Sequence, residues 1–519
     1  MDAELRADVL VVGGSLGGVA AALTASRMGL RVHLAADRAW VGGQLTSQAV
    51  SALDEHPWIE AFGATRSYLA LRASIRAYYG RHYPLLPDRD RAYLNPGNGW
   101  VSRLCHEPRA ALAAIEATMA PERAAGRLTV STGWRPVAAD VAADRVRAVR
   151  FAGADGRGRV VHAPYCLDAT ELGELLPLTG TEYVTGAESH GDTGEPHAPE
   201  AADPEDMQAC TVCLALDFLP GEDHTIPRPD GYAAFRDAGH LGWTHPDPRT
   251  NAPRRYTLFG DPQDPHASSL WRYRRILDRS LFAEGAFPSD ITLVNWPQND
   301  YRASALIPVR GPGVDAQAVR AAGNLSLALV HWLQTEAPRP DGGLGWPGLR
   351  LRPDVVGTED GLAMEPYVRE SRRIVPVFRV VEQHVGRDCR TDGRAEHFPD
   401  SVGIGLYRID LHPGVHHPTY IDIGCCPFQI PLGALLPARM RNLLPACKNI
   451  GTTHITNGAY RLHPVEWNIG EAAGALAAHC LLAGTEPHAV RAGTERLDAF
   501  QRLLERMGVP LRWPEARPV

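Results

Sequence analysis

Five side chains able to move protons or hold charge crowd the ten residues from His454 to His463: His454, Asn457, Tyr460, Arg461 and His463. Imidazole titrates near neutrality, so it suits removal of a proton from an O–H, N–H or activated C–H bond. The expectation is that His454 and His463 form the pair from which a base is drawn, with Arg461 stabilising an anion or a developing charge. The plainer alternative makes either histidine a helix cap or a buried, satisfied side chain.

Two further stretches carry charge in a useful pattern. As a strand, "PYVRESRRI" (366–374) puts Tyr367, Arg369, Ser371 and Arg373 on one face and Glu370 and Arg372 on the other. Guanidinium forks match carboxylates and phosphates, so Arg369 is a candidate anion clamp, and a structural Glu370–arginine network is the competing reading. "NWPQNDY" (295–301) offers amides, Asp300 and Tyr301 on a polar loop. It could orient a hydroxylated substrate through Tyr301, or be a turn and nothing more.

Other suggestive residues lack the right geometry. Cys210 and Cys213 lie on a β-like run, where residues three apart face opposite sides, so a redox dithiol is not expected. Cys425 and Cys426 read as packing residues. His412, His416 and His417 are interrupted by Pro413, Gly414 and Pro418, which leaves no regular ligand face, and no metal is expected.

The elements that must position these groups begin at the N-terminus. Asp8–Val12 reads as a buried strand, "GGSLGG" (13–18) as a tight turn, Val19–Met28 as an Ala-rich helix stopped by Gly29, and Arg31–Ala35 as a second strand. That context makes the glycines a nucleotide fingerprint, with Ser15 in place of the middle glycine. Gly13 makes the turn, Gly17 and Gly18 allow close packing, and the amides at the helix start suit a pyrophosphate. Asp37 follows the second strand where a ribose-binding acid is expected. Residues 46–100 show no clear period. Pro108–Ala120 has helical spacing, 128–170 reads as a hairpin-rich β excursion, and 210–425 as short β runs with long loops. His463-Pro464 leads into a Glu466–Leu482 helix, so the amides of Trp467 and Asn468 are expected to point their dipole at whatever precedes it.

Whole-chain properties set the class. A chain of 519 residues allows about two to four domain-sized units, and 44% hydrophobic with 22% charged residues is ordinary for a globular protein. The formal charge of −7 gives no basic field, so the expected partner is a small-molecule substrate, with no nucleic acid and no membrane. Of the 53 basic residues only Lys448 is a lysine, so arginine counts alone say little; Lys448 reads as a solvated surface residue or as a charge near the tail helix. Nine scattered cysteines fit reduced thiols and a cytoplasmic location. The glycine-broken run 9–23 is neither a signal peptide nor a span. Assembly into a homo-oligomer is left open.

From "VGGQLTSQAVSALDEHPW" (41–58) onward the chain resembles FAD-dependent oxidoreductases of the glutathione-reductase-like, two-dinucleotide-fold superfamily. "NPGNGWVSRLC" (95–105), "LDATELGELLPLTG" (167–180), "RPDVVGTEDGLAMEPYVRESRRI" (352–374) and "LLPACKNIGTTHITNGAYRLHPVEWNIGEAAGALA" (443–477) carry the same likeness. The resemblance implies an α/β fold: a discontinuous Rossmann-like FAD-binding domain, 1–180 plus 431–519, with an inserted mixed α+β substrate domain, 181–430. It implies FAD pyrophosphate on the first glycine turn, Gly42, Gly43 and Gln44 beside the ribityl chain, a backbone near Val137 against adenine, and Ala169 and Thr170 in the same site. It places the flavin pyrimidine edge before the tail helix. The implied reaction is hydride removal from a small, anionic or hydroxylated substrate to flavin N5, as a dehydrogenase or oxidase reoxidised by O2 or another acceptor. A flavoprotein using FAD structurally, or for isomerase- or lyase-like chemistry, is the alternative.

Overall fold

The computed structural model describes residues 3–260 and 268–514. The outermost residues of the expected 1–180 and 431–519 segments, Asp2 among them, lie outside these. At its centre is a five-stranded parallel sheet in the order Leu443–Pro445, Tyr165–Asp168, Val9–Val12, Val32–Ala36, Leu128–Thr132. Val9–Val12 is buried at every position, as an inner strand of a parallel sheet covered on both faces must be. The register pairs Val12 with both Ala35 and Asp168, and Asp168 with Pro445, so these strands end level with one another. Gly13, Asp37, Ala169 and Ala446 therefore leave the sheet along one carboxyl edge, where open α/β sheets place their ligands.

The Leu16–Arg27 helix and the His463–Ala483 helix cross in near-backbone contact. A Cβ on Gly470 would lie 2.0 Å from the Gly17 carbonyl oxygen, and one on Gly474 would lie 2.4 Å from that of Ala21. Only glycine permits that approach, which explains the small residues of the tail helix.

The expected β excursion is present as Trp134–Ala142, Arg145–Gly153 and Gly158–His162, and Ala3–Arg6 adds a parallel strand at its edge. Farther along the chain, Leu214–Phe218, Ile291–Val294, Arg275–Leu277 and Leu349–Leu351 form an antiparallel sheet. Among the described residues no helix is long and apolar enough to cross a membrane.

Two long helices do not follow from the apolar pattern. Arg66–His82 buries Tyr68, Leu71, Arg72, Ile75, Arg76 and Tyr79, a helical stripe whose period is hidden by two arginines. Arg72 is buried because it meets Glu55 at 2.9 Å and Glu60 at 2.7 Å, and Arg76 meets Glu60 at 2.6 Å. Ala316–Thr335, capped by Asp315, runs through a region read as strands and loops, and its alanines and leucines pack on the antiparallel sheet.

The arginine stripe gives a stability prediction. Arg72→Ala leaves Glu55 buried without its cation and should lower unfolding free energy by about 3–5 kcal/mol in denaturant titration. A loss under about 1 kcal/mol would show the pair behaving as a solvated surface bridge.

Candidate functional site: a nucleotide cleft beside an arginine-lined cavity

The glycine turn is built as a nucleotide turn. Gly13 has φ +106°, and a Cβ there would lie 2.1 Å from the Ala169 carbonyl oxygen. Ser15 is the helix N-cap, its Oγ accepting from the Gly18 amide at 3.0 Å. The serine that interrupts the fingerprint thus has a local structural role. The Gly17 amide donates to Glu466 Oε1 at 3.1 Å, so Gly17 and Gly18 serve packing and capping in this structure.

A cleft opens over this turn, lined by Gly13, Ser15, Asp37, Ala169 and Thr170, all expected there, and by Arg38, Pro136, Glu171, Glu174 and Glu365. Asp37 stands exposed at the strand end. The excursion contributes Trp134, Arg135 and Pro136 to the cleft, whereas Val137 points outward at 38% exposure, beside a bulge that shifts the register between Pro136 and Ala138. The backbone expected against adenine is the stretch around this residue, of which Pro136 lines the cleft. Gly42 and Gly43 have φ +115° and +49°, and the Gly42 amide donates to the Gly14 carbonyl at 2.7 Å. Gln44 donates to the Arg461 carbonyl at 3.0 Å and to Glu466.

Lys448 is wholly buried, not on the surface, and pairs with Glu171; Cys447 Sγ lies 3.3 Å from Glu466 Oε1. Glu171, Cys447 and Glu466 come within metal-ligand spacing, with the Lys448 ammonium already bound to one of them. Burial and nearby Asp168 lift the Glu174 carboxyl to about 7.

The buried polar atoms around this region call for a bound group. Gln48 leaves both ends of its side-chain amide without a partner, Gln44 leaves its carbonyl oxygen, and Glu171 leaves Oε1. Each such orphan costs about 1–3 kcal/mol unless something polar meets it. Together with the positive-φ glycines, whose absent Cβ atoms keep the turn open to close approach, the residues fit a dinucleotide.

The segment Glu365–Arg369 forms the back of this cleft and the front of a second cavity. Glu365, Pro366 and Val368 line the cleft; Tyr367 and Arg369 line the cavity. The alternation expected of a strand holds here and then fails: Arg373 turns to the Glu370 side and binds it, with Glu188 at 3.1 Å.

Arg369 is 2% exposed and donates to Asp300 Oδ1 at 3.0 Å, to Thr211 Oγ1 at 3.0 Å and to the Ala209 carbonyl at 2.7 Å. Burial disfavours its charge, and Asp300 outweighs that. Burial likewise pushes the Asp300 carboxyl up, but Arg369 and His412 hold it well below the usual carboxylate range. Arg461 donates to the Tyr367 hydroxyl at 2.6 Å and to Asp410 Oδ2 at 3.3 Å.

Three expectations need correction. His463 cannot serve as a base: its Nδ1 accepts from the Asp54 amide at 3.1 Å and its Nε2 lies 3.0 Å from the Val50 carbonyl, so both nitrogens are used. It instead fixes Asp54, which holds Arg274 at 3.1 Å in the cavity wall. Tyr301 faces away, its hydroxyl on Ser304 and its ring among Val212, Leu306 and Leu325; its neighbour Asp300 takes the inward face because adjacent strand residues point oppositely. The tail helix starts at His463 rather than Glu466, which moves Trp467 and Asn468 into its second turn. There Trp467 Nε1 donates to Ser67 Oγ at 2.7 Å, and the Asn468 amide bridges Ile404 and Val402.

His454 keeps a chemically useful arrangement, with Nδ1 2.8 Å from Glu370 Oε2. The structure also adds His412, whose Nδ1 lies 2.5 Å from Asp300 Oδ2 and whose ring lines the cavity. It lies in a proline-rich loop without periodicity, and its partner Asp300 belongs to the polar 295–301 stretch. His416 and His417 go elsewhere, to Asp203 and Thr419.

A family model described as FAD dependent oxidoreductase matches residues 8–504. The chain belongs to that family. Its cofactor is FAD, which makes it a flavoprotein. No curated protein is significantly similar. Among solved structures, BexE, studied for oxidation during BE-7585A biosynthesis, is 12% identical over 98% of this chain and 67% of its own, with a TM-score of 0.37. The p-nitrophenol 4-monooxygenase PnpA of Pseudomonas putida DLL-E4 is 14% identical over 73% and 70%, at 0.31. The glycerol-3-phosphate dehydrogenase of Bacillus halodurans complexed with FAD is 12% identical over 41% and 40%, at 0.25. The flavoprotein spans under half the length of several structures it matches, 45% of the CndH halogenase for one.

The Glu370–His454 pair sets a pH window. Burial raises the Glu370 carboxyl, but His454 and Arg373 outweigh it and bring it from 4.5 to about 2. Burial lowers His454, and Glu370 outweighs it, leaving it above its ordinary 6.5. Stability from the depressed Glu370 is present above pH 4.5 and lost as pH falls toward 2; that from His454 is full below 6.5 and lost as pH rises through its raised value. The stability difference between wild type and His454→Gln should therefore peak between pH 4.5 and 6.5. Denaturant unfolding across pH reads this, and a difference that grows above pH 8 would refute the ion pair.

Proposed function

We propose that this FAD-dependent oxidoreductase removes a hydride from a small, anionic or hydroxylated organic substrate, with oxygen or another acceptor closing the cycle. The observation that carries the reading is the shared wall: residues 365–369 border the nucleotide cleft with one set of side chains and the arginine-lined cavity with the other. Gly13, Ser15, Ala169 and Thr170 would hold the pyrophosphate end of FAD, Asp37 the ribose, and Gly42, Gly43 and Gln44 the ribityl chain. Bound FAD supplies a two-electron acceptor.

The protein's own residues supply binding and charge. Arg369 and Arg461, each anchored by a carboxylate, offer preorganised positive charge to an anionic substrate without having to move. Of the two histidines expected to supply a base, His454 alone keeps a carboxylate partner, and its pair with Glu370 holds the start of the helix that leads to Arg461. The division into a discontinuous FAD domain, 1–180 plus 431–519, with a substrate domain at 181–430, is supported by Leu443–Pro445 pairing with Tyr165–Asp168 and by the contact of the two glycine-bearing helices.

Anaerobic mixing of the yellow protein with candidate hydroxylated or anionic compounds tests the reading. A substrate should bleach the flavin band and oxygen or an artificial acceptor should restore it. Turnover of a compound with no bleaching under any anaerobic condition would favour structural or non-net-redox use of FAD.

A further inference from the structure

The cavity behind residues 365–369 encloses about 1100 Å3 of empty space including its mouth. Its floor is a closed ring of interactions. Arg369 binds Asp300 Oδ1 at 3.0 Å, and Asp300 Oδ2 holds His412 Nδ1 at 2.5 Å. His412 Nε2 lies 3.9 Å from Asp410 Oδ2, which binds Arg461 at 3.3 Å. Arg461 binds the Tyr367 hydroxyl, and the Tyr367 ring lies 4.8 Å beneath the Arg369 guanidinium. The imidazole therefore sits between two carboxylates, each anchoring an arginine.

Two features of this ring point to a ligand. Arg274, Arg369 and Arg461 all line the cavity, are each more than nine-tenths buried, and each leaves its Nε–H without a partner. Three buried guanidinium groups along one cavity match an anion, and a carboxylate suits their fork. In addition, His412 Nδ1 is taken up by Asp300 at 2.5 Å, which leaves Nε2, 3.9 Å from Asp410 Oδ2, as the ring nitrogen free to meet a hydroxyl. Aromatic side chains, Trp100, Tyr273, Tyr407 and Tyr420 among them, line the rest of the cavity and suit a flat, apolar body.

We propose that this cavity is the substrate site for a hydroxylated carboxylate, whose carboxylate lies against Arg461 and Arg369 and whose hydroxyl donates to His412 Nε2. The inference rests on the oxidoreductase reading above and names its substrate class and proton acceptor. In the reaction the hydroxyl-bearing carbon loses hydrogen with both bonding electrons to the FAD, and the O–H proton passes to His412 Nε2. The C–O single bond becomes C=O, the substrate is oxidised by two electrons and the cofactor is reduced by two. His454 does not line the cavity, so its pair with Glu370 positions the helix that leads to Arg461. Gln208 connects the two histidine pairs: its amide donates to Glu370 and its side-chain oxygen accepts from the His412 amide.

The test uses the FAD-loaded protein with three aromatic probes, mandelate, phenylacetate and mandelamide, followed by calorimetry and by perturbation of the flavin spectrum. Mandelate should bind about tenfold or more tightly than phenylacetate, which lacks the hydroxyl, and than mandelamide, which lacks the charge. His412→Asn should abolish the preference over phenylacetate and keep the preference over mandelamide; Arg461→Lys should do the reverse, each with its melting temperature as the folding control. If a variant fails to fold, the wild-type comparison decides alone. Equal binding of mandelate and mandelamide, or no binding of any probe, overturns the proposal. Selective mandelate binding without bleaching by any hydroxylated carboxylate would leave the site standing and contradict the hydride-removal reading instead.

Discussion

The close approach of the Leu16–Arg27 and His463–Ala483 helices is the constraint on which the site depends. Gly17 and Gly470 meet backbone to backbone, and a Cβ on Gly17 would lie 2.0 Å from the Ala446 carbonyl oxygen. This seats the C-terminal helix directly on the nucleotide turn. As a result Glu466 reaches the Gly17 amide, Gln44 reaches the Arg461 carbonyl, and Arg461 is delivered to the wall shared by cleft and cavity. Residues more than 400 positions apart in sequence become one site because two helices carry no side chain where they touch.

Burial of charge is the second organising feature. Arg72, Arg369, Arg373 and Arg461 are all 2% exposed or less, and each is bound by a carboxylate. Such pairs add little net stability over apolar packing, but losing one partner is severe, so they fix geometry more than they strengthen the fold. In the cavity that rigidity holds guanidinium and imidazole groups in place before any ligand arrives.

Much of the nucleotide half was legible because its signals are local: a strand, a glycine turn, a helix and a second strand in sequence order. Ser15, which stands where the fingerprint has its middle glycine, is a helix cap. Gly42, Gly43 and Gln44 follow from the resemblance, and the positive φ of the two glycines and the hydrogen bonds of Gln44 show why those types stand there. The substrate half was legible only in part. Arg369 and Arg461 were found as charge-bearing candidates, whereas the choice between Asp300 and Tyr301 required knowing which face turned inward. His463 could not be told from a base without seeing both of its nitrogens hydrogen-bonded. The role of His412 has no sequence signal because a histidine in a proline-rich loop has no periodicity to reveal its partner, and Arg66–His82 has none because paired arginines stand where an apolar stripe would.

The most direct test of this account is the FAD content of Gly470→Ala. Its added methyl would meet the Gly17 backbone oxygen at 2.0 Å, where no flexible side chain can yield. The account predicts protein with well under one FAD per chain and a lowered melting temperature. Full FAD occupancy at unchanged stability would show that the helix contact does not make the site.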